Sequence, residues 1–298
     1  MGADAFHRLF ELVVRVRFRP VNQSLERSSA KVPKIVQPLV SVIVPTHKRL
    51  SYLIQTVQAI LAQSYPALEV LIVADGHDQD VADFVSGLQD LRVQYLACPA
   101  AGRPAVPRNF GLRHASGEYI ALCDDDDLWH REKIQKQMDL IRRERIELTF
   151  TACSNIDQNG NRIGDYLLGN FGSVGKSKFI LSLGGMIYNS SMVFSRSLLI
   201  KSGLFNEDAG LACGEDYELC SRMLMYSDAV GIREPLVGYR THVGSIQPQT
   251  GIGWIRLQGR IQSAIRANGS ATIWLWSVRY LRVLYWAARV RMRRIVGR

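Results

Sequence analysis

The segment from about residue 39 to residue 150 alternates short apolar runs with stretches of helical length. Strands that alternate with helices favour a parallel, doubly wound α/β sheet. In such a sheet ligands bind beyond the carboxyl ends of the strands, so functional residues are expected directly after each predicted strand. The predicted strands are Leu39–Val44, Glu69–Ala74, Arg92–Ala97 and Glu118–Cys123, and the predicted helices are Ser51–Gln63, Gln79–Leu88 and Pro104–His114.

Four consecutive aspartates, Asp124 to Asp127, follow the last of these strands. Adjacent carboxylates repel one another unless a cation neutralises them. Oxygen ligands without a neighbouring Cys or His pair suit Mg²⁺ or Mn²⁺, which keep coordination positions open for substrate phosphates. The cluster therefore predicts a divalent metal that holds a diphosphate. The alternative is a solvated acidic turn.

Two other strand ends carry residues that suit the same ligand. A cation-rich turn runs from Pro45 to Arg49, and Asp75 precedes Gly76 at the end of the second strand. Carboxyl ends of parallel strands meet at one edge of the sheet, so the turn, the single acid and the acid cluster should border one crevice. Together they predict a site for a nucleotide diphosphate.

The excess of positive charge lies in the last 45 residues. The 298-residue chain has a formal net charge of +10, and residues 254–298 contain ten arginines, no lysine and no acid. Within them Ile273–Val296 interleaves aromatic residues with arginines, a pattern typical of amphipathic helices at anionic membrane surfaces. The uncharged stretch Ala267–Val278 is too short to span a bilayer. Peripheral attachment is therefore expected, with a similar helix at Phe6–Phe18 beside the tail. The alternative is that one or both helices pack on the body.

The charge distribution divides the chain into three predicted regions. Residues 1–37 form a basic N-terminal helix and linker, residues 38–250 form the α/β domain, and residues 251–298 form the helical tail. No nucleic-acid partner is expected, because no recognition motif accompanies the positive charge. No signal peptide is apparent, so the protein is expected in the cytoplasm, on the cytoplasmic face of the membrane. The five cysteines show no C-x-x-C pair and are expected to be reduced core residues.

Six motifs follow one another along the chain, namely Val40–Thr46, Leu71–Gly76, Arg108–Leu112, Gly117–Ile120, Asp124–Trp129 and Gly214–Leu219. Their order resembles that of the GT-A glycosyltransferases of family 2, and the resemblance covers about residues 38 to 245. It implies a GT-A fold, which is a Rossmann-like α/β/α sandwich with a mostly parallel sheet. It also implies an inverting transfer of a sugar from a nucleotide diphosphate, with UDP expected. One departure is Ala74, which stands where the family often has the first of two acids.

The resemblance also implies a donor site. Asp75 would accept a hydrogen bond from the base, and Arg108 would reach the nucleotide or its phosphates. The alternative for Asp75 is an acid that only forms the turn before Gly76, and the alternative for Arg108 is a surface arginine at a helix start. The residues expected to flank the nucleoside or hold its ribose and phosphates are Pro45, Thr46, Arg49, Asp124 and Asp125.

For the metal, the resemblance gives Asp126 as the expected direct ligand, with Asp124 as the other acid of the motif. His242 would offer its imidazole to the metal or the diphosphate; the alternative is a surface histidine. Asp127 has two interpretations, as a metal contact or as the N-cap of a helix that begins near Leu128–Arg131. Trp129 is expected to pack under the sugar or against the core.

Asp216 is the expected catalytic base, which would remove the proton from the acceptor hydroxyl, with Glu215 in support. Like-charge proximity and partial burial would raise the pKa of Asp216, whereas a helix N-terminus would lower it. The alternative is a pair of acids that only favours a helix start.

A glycan or lipid-linked acceptor would explain the basic tail. The alternative function is a catalytically inactive nucleotide-sugar-binding scaffold of the same fold. The sequence of loops such as Gly169–Gly185 does not indicate which sugar is transferred.

Overall fold

The computed structural model describes residues 37–166, 173–174, 187–211, 214–242, 251–267 and 281. The strands in these residues are β1 (Val40–Thr46), β2 (Leu68–Asp75), β3 (Val93–Cys98), β4 (Tyr119–Leu122), β5 (Leu128–Trp129), β6 (Leu148–Ile156), β7 (Arg162–Tyr166), β8 (Ser173–Val174), β9 (Val193–Ser195) and β10 (Ala229–Arg240). The α-helices are α1 (Leu50–Leu61), α2 (Gln79–Leu88), α3 (Ala105–His114), α4 (Lys133–Glu144), α5 (Arg196–Ser202), α6 (Glu215–Met223) and α7 (Gly251–Ala267). These strands form one sheet, with helices on both faces.

The first half of the sheet is parallel, as the alternating sequence pattern predicts. Its strands follow the order β3-β2-β1-β4, and the connections between them contain α1, α2 and α3. The carboxyl ends of β1, β2 and β4 therefore lie at one edge of the sheet. The predicted strand and helix ranges agree with the observed ones to within two residues at each end, and α2 matches fully.

The second half of the sheet is mixed, so the expectation of a mostly parallel sheet is wrong for this part. The order continues β9-β6-β10-β5; β9 is antiparallel to β4 and β6, and β5 is antiparallel to β10, while β6 and β10 are parallel. β6 and β7 are joined by a five-residue turn, which can join only antiparallel neighbours.

Each face of the sheet carries its own apolar core. On β1, Ile43 faces the core that α3, α5, α6 and α7 cover, whereas Val42 and Val44 face the core under α1, α2 and α4. This alternation follows from the two-residue period of a strand. Four cysteines are buried free thiols, which confirms their predicted core positions, namely Cys98, Cys123, Cys153 and Cys220. Cys213 lies outside the described residues.

Helix α3 lies unusually close to the sheet because of Gly111. A Cβ atom at this position would stand 2.6 Å from Ile43 Cγ2 and 2.9 Å from Val73 Cγ2. Only glycine therefore allows this approach. The close packing fixes the preceding turn of the helix, which carries Arg108, against the carboxyl ends of β1 and β2.

Helix α7, the first part of the predicted tail, packs on the body. Leu257 and Ile261 are buried, and a Cβ atom at Gly214 would stand 2.7 Å from Ile261 Cδ1 and 3.1 Å from Leu257 Cδ1. The core thus continues past residue 250. No helix in the described part of the chain has the length and apolar character needed to cross a membrane. The predicted helix at Phe6–Phe18 falls outside the described residues. The structure describes only residue 281 of Ile273–Val296, and only the two residues of β8 within the loop Gly169–Gly185.

Candidate active site

The four aspartates after β4 lie in a turn that three arginines surround. Arg108 Nη2 lies 2.7 Å from Asp124 Oδ1. Arg49 contacts two of the acids, with Nη2 2.7 Å from Asp125 Oδ1 and Nη1 2.6 Å from Asp126 Oδ2. The backbone N–H of Arg240 donates to Asp127 Oδ1 at 3.0 Å. Cationic side chains therefore compensate much of the repulsion that the sequence implies.

Two of the aspartates point inward and hold the turn together. Asp125 has no exposed surface and accepts a hydrogen bond from Thr46 Oγ1 at 2.7 Å, and Asp127 is also buried. Thr56 Oγ1 contacts the carbonyl oxygens of both residues. Burial raises the pKa of Asp125 to about 7, against the effect of Arg49, and burial also raises the pKa of Asp127. The contact of Asp125 with a ribose stays a prediction.

Asp127 does not cap a helix, so that interpretation is wrong. The residues after it, Leu128–Trp129, form β5 and pair with Val237 and Gly238 of β10. The next helix, α4, begins only at Lys133. A strand forms here because β10 offers its free edge to the chain as it leaves the turn.

The other two aspartates lie on the crevice side of the turn. The side chain of Asp124 is 29% exposed and that of Asp126 is 13% exposed. His242 Nε2 lies 3.0 Å from Asp126 Oδ2, and the His242 ring packs against Tyr52 with 4.8 Å between ring centres. The structure thus brings together two of the predicted metal ligands, Asp126 and His242, although 116 residues separate them in sequence.

These residues fit a divalent metal whose ligands come partly from the protein and partly from a substrate. A carboxylate and an imidazole at this separation are donors that Mn²⁺ accepts, and a diphosphate would supply further oxygens. Within the described ranges, no three His, Cys, Asp or Glu side chains form a complete metal-binding group. A site made by protein side chains alone is therefore absent from this part of the chain, and the role of Asp124 as a ligand stays a prediction.

Asp75 holds the loop after β3 at the edge of the crevice. Its carboxylate accepts two backbone hydrogen bonds, from Ala101 N and Gly102 N, each at 2.7 Å. Gly76 follows with a φ of +86°, a conformation that glycine adopts without strain. Each carboxylate oxygen keeps a second lone pair, so a further hydrogen bond from a base is chemically possible. The contact with the base stays a prediction.

The two acids of the Glu215–Asp216 pair lie in different environments at the start of α6. Glu215 is buried, accepts from Gly214 N at 3.0 Å and lies 2.8 Å from Arg108 Nη1. Asp216 is half-buried and accepts from Tyr217 N at 2.7 Å. Desolvation and then the charge of Glu215 raise the pKa of Asp216 to about 7, against the effect of Arg108. A carboxylate with this pKa suits a general base near neutral pH.

A family model described as glycosyl transferase family 2 matches residues 41–203, which is more than half of the chain. The chain belongs to glycosyl transferase family 2. The matched residues contain the crevice edge from β1 to the acid cluster. The resemblance inferred from the six motifs is thereby confirmed.

Relatives of this family 2 chain cover different shares of it. A glycosyltransferase of Rickettsia bellii is 32% identical over 133 residues, which are 44% of this chain and 19% of that protein. The chain therefore spans about a fifth of the rickettsial relative. Glycosyltransferase GlyG of Streptococcus pneumoniae is 28% identical over 229 residues, which are 73% of this chain and 76% of GlyG.

Solved structures show the same fold. Residues 1–349 of S. aureus TarS, in complex with UDP-GlcNAc, match 76% of this chain and 66% of that chain with a TM-score of 0.62 and 19% identity. The mannosyltransferase PcManGT from Pyrobaculum calidifontis, in complex with GDP-Man and Mn²⁺, matches 88% of this chain and 80% of that chain with a TM-score of 0.55 and 18% identity. The predicted GT-A fold is confirmed.

No sequence motif predicts the contacts of two further residues of this family 2 site, Arg240 and Ser190. Arg240 is 1% exposed; its Nε donates to Asp126 O at 2.6 Å, and its guanidinium lies 4.7 Å from the centre of the Tyr52 ring. Ser190 accepts from Asp124 N and, through its carbonyl oxygen, from Trp129 Nε1. Trp129 is itself buried, in line with its core alternative. These contacts join segments far apart in sequence, so no local pattern predicts them.

Proposed function

We propose that this chain is an inverting glycosyltransferase that moves a sugar from a nucleotide diphosphate, with UDP as the nucleotide, to a hydroxyl group of a glycan or lipid-linked acceptor. One observation carries the proposal. The carboxyl ends of β1, β2 and β4 bring Arg49, Asp75 and Asp126 to one edge of the sheet, and His242 joins Asp126 there. A base-binding acid, a cation and a metal-type pair in one crevice suit the parts of a nucleotide diphosphate.

On the donor side, Asp75 would accept a hydrogen bond from the imide N–H of the base, and the turn from Pro45 to Arg49 would flank the nucleoside. Asp126 and His242 would hold Mn²⁺ or Mg²⁺. When bound, the metal would neutralise charge on the departing diphosphate as a Lewis acid. Arg49 lies 2.6 Å from Asp126, so its guanidinium would be within reach of a phosphate bound beside this carboxylate.

On the acceptor side, Asp216 would take the proton from the attacking hydroxyl. It is the half-buried member of the pair at the start of α6, whereas both oxygens of Glu215 are already bonded. A hydroxyl that loses its proton as it attacks becomes a better nucleophile, and a positioned base contributes roughly 10²- to 10⁴-fold to the rate.

The donor site is tested by thermal unfolding with UDP, GDP and a set of UDP-sugars, each with and without Mn²⁺. We expect UDP to raise the melting temperature when Mn²⁺ is present, because a ligand that binds only the folded state stabilises it. Asp126→Ala should lose the metal-dependent part of the shift. Asp139→Ala is the matched control, because Asp139 is an exposed acid on α4 and should keep the full shift.

Turnover separates an enzyme from an inactive scaffold. Release of UDP from a UDP-sugar, with water or a supplied acceptor, should be detectable in the wild-type protein and abolished in Asp216→Asn. Stabilisation by UDP without any release under all metal conditions would favour the scaffold. Absence of stabilisation by every nucleotide would contradict the donor site itself.

A further inference from the structure

Arg108 lies between the two halves of the proposed active site. Its guanidinium is nearly fully buried, with the side chain 5% exposed, and each terminal nitrogen contacts a different carboxylate. Nη2 lies 2.7 Å from Asp124 Oδ1, at the end of β4, and Nη1 lies 2.8 Å from Glu215 Oε1, at the start of α6. One planar cation thus joins the acid turn to the helix that carries the proposed base.

We propose that Arg108 is a positioning residue that ties Glu215 to the acid turn and so leaves Asp216 as the only acid of the pair directed at the acceptor. The proposal rests on the proposed function, because it assigns a role within the same site. It gives Arg108 a different task from the donor contact that the family resemblance implies.

The guanidinium is held from several sides, so its position is well defined. The ring of Phe205 lies 5.5 Å from the guanidinium carbon, and the amide of Asn189, with its oxygen turned towards Arg108, accepts from Nη2 at 2.9 Å and from Nη1 at 3.1 Å. The backbone of α3 is fixed one turn later by the close contact of Gly111 with β1 and β2. A rigid donor fork suits two carboxylates better than the single charge of a lysine does.

Glu215 and Asp216 lie in different environments because of the forked guanidinium of Arg108. Glu215 is bonded on both oxygens, to Arg108 Nη1 and to Gly214 N, and is buried. Asp216 instead accepts a hydrogen bond from Tyr217 N at 2.7 Å and is half-buried. The fork therefore fixes the rotation of the first turn of α6, and this rotation sets the direction of the Asp216 carboxylate.

The test compares Arg108→Lys with the wild type, by UDP release at varied UDP-sugar concentration. A lysine keeps the positive charge but spans only one of the two carboxylates. We expect kcat to fall by about 100-fold while KM for the UDP-sugar changes by less than about threefold, because a misplaced base affects the chemical step and not donor binding. The UDP-dependent thermal shift should remain.

Two further variants separate positioning from folding. Arg113→Met, on the exposed side of α3, should leave kcat and KM unchanged. Arg108→Met leaves two carboxylates without their counterion, and adding Glu215→Gln removes one of these charges, so the double variant should recover part of the lost kcat. If Arg108→Met does not fold, Arg108→Lys and Glu215→Gln still give the comparison.

A different pattern would overturn the proposal. If Arg108→Lys keeps the wild-type kcat and raises KM for the UDP-sugar by about tenfold or more, Arg108 binds the donor directly. Equal activity of Arg108→Met and its double variant with Glu215→Gln would also contradict the coupling to Glu215. Failure of the wild-type protein to bind UDP or release it would instead contradict the proposed function, so the two failures are distinguishable.

Discussion

Asp216 combines a half-buried carboxylate with a position at the start of α6, and both properties bear on its pH dependence. Burial, followed by the nearby charge of Glu215, raises its pKa to about 7. A base works only when it is deprotonated, so the rate should fall as the pH drops below this value. We expect kcat for UDP release to decrease about tenfold per pH unit on the acid side.

The measurement is UDP release at saturating donor from about pH 5.5 to pH 8.5. Asp216→Glu, which keeps a carboxylate, should retain an acid limb with lower kcat, whereas Asp216→Asn should lose activity at every pH. A wild-type rate that is constant across this range would contradict the assignment of Asp216 as the base.

Lys133 is a fully buried lysine that the proposed mechanism does not use. Its ammonium donates to Gln137 Oε1 at 2.8 Å and lies 4.0 Å from the centre of the Trp129 ring. Burial lowers its pKa from 10.5 to about 7. Between these values the unfolded chain binds a proton that the folded chain lacks, so this group makes the free energy of unfolding rise with pH.

We therefore expect the wild type to gain stability relative to Lys133→Met as the pH rises from about 7.5 to 9, by roughly 2 kcal/mol at most. Urea unfolding at several pH values measures the difference. Lys136→Met is the control, because Lys136 is partly exposed, its pKa is raised by hydrogen bonds to Glu234 and Glu132, and it stays protonated in both states over this range. A difference that does not change with pH would show that Lys133 remains charged in the fold.

The site residues could be predicted to different degrees. The family resemblance predicts Asp126, His242 and Asp216 as site residues, and the structure places the first two in contact. Asp125 and Arg240 face inward instead, since their hydrogen bonds close the turn. The pattern of acids gives no sign of which members point into the protein, because that direction depends on segments that arrive from elsewhere in the chain.

Helices α6 and α7 touch at a point where no side chain fits. Gly214→Ala would place a Cβ atom 2.7 Å from Ile261 Cδ1, so we expect a loss of about 1–3 kcal/mol in the free energy of unfolding. Gly259 is the matched control on α7, since a Cβ atom there would meet no heavy atom within 4 Å. Gly259→Ala should stabilise the helix by about 0.5–1 kcal/mol.

Urea unfolding of both variants provides the comparison. If Gly214→Ala left the free energy of unfolding unchanged, α7 would be able to move away from α6 without cost. The packing described for Leu257 and Ile261 would then contribute little to stability. The same substitution should also lower kcat for UDP release, because it displaces the residue that directly precedes Glu215 and Asp216.

At the level of elements, the parallel half of the sheet was predictable, and the remainder was not. Each of β1 to β4 is a separate apolar run, and a helix follows each of β1, β2 and β3, which is a local signal. β5 has two residues and β9 has three, and their pairing partners lie far away in sequence. Short strands of this kind form because a neighbouring edge is available, and the sequence of the strand alone does not show that edge.

For the whole molecule, the proposed attachment to a membrane depends on the basic residues after α7. Helix α7 belongs to the folded body, so a useful truncation ends at residue 267 and keeps Leu257 and Ile261 in place. The full chain should float with vesicles that contain phosphatidylglycerol, and the chain ending at 267 should not. Binding should weaken as salt is raised, since surface charges are screened.

Neutral phosphatidylcholine vesicles are the control for the same experiment. Equal flotation of the two chains on anionic vesicles would remove the basis for attachment through the tail. Expected residence on the cytoplasmic face of the membrane and a lipid-linked acceptor stay predictions that this outcome would weaken.

The turn that carries the aspartates is closed by residues that are synthesised much later. Arg240 binds the backbone of Asp126 across 114 positions, and His242 reaches the same residue across 116. During translation, the first four strands emerge well before β10 and can pair among themselves, while the turn that carries the aspartates still lacks its contacts with Arg240 and His242. A newly made chain therefore completes the proposed donor site only after β10 and His242 have been synthesised, when the sheet is available to support it.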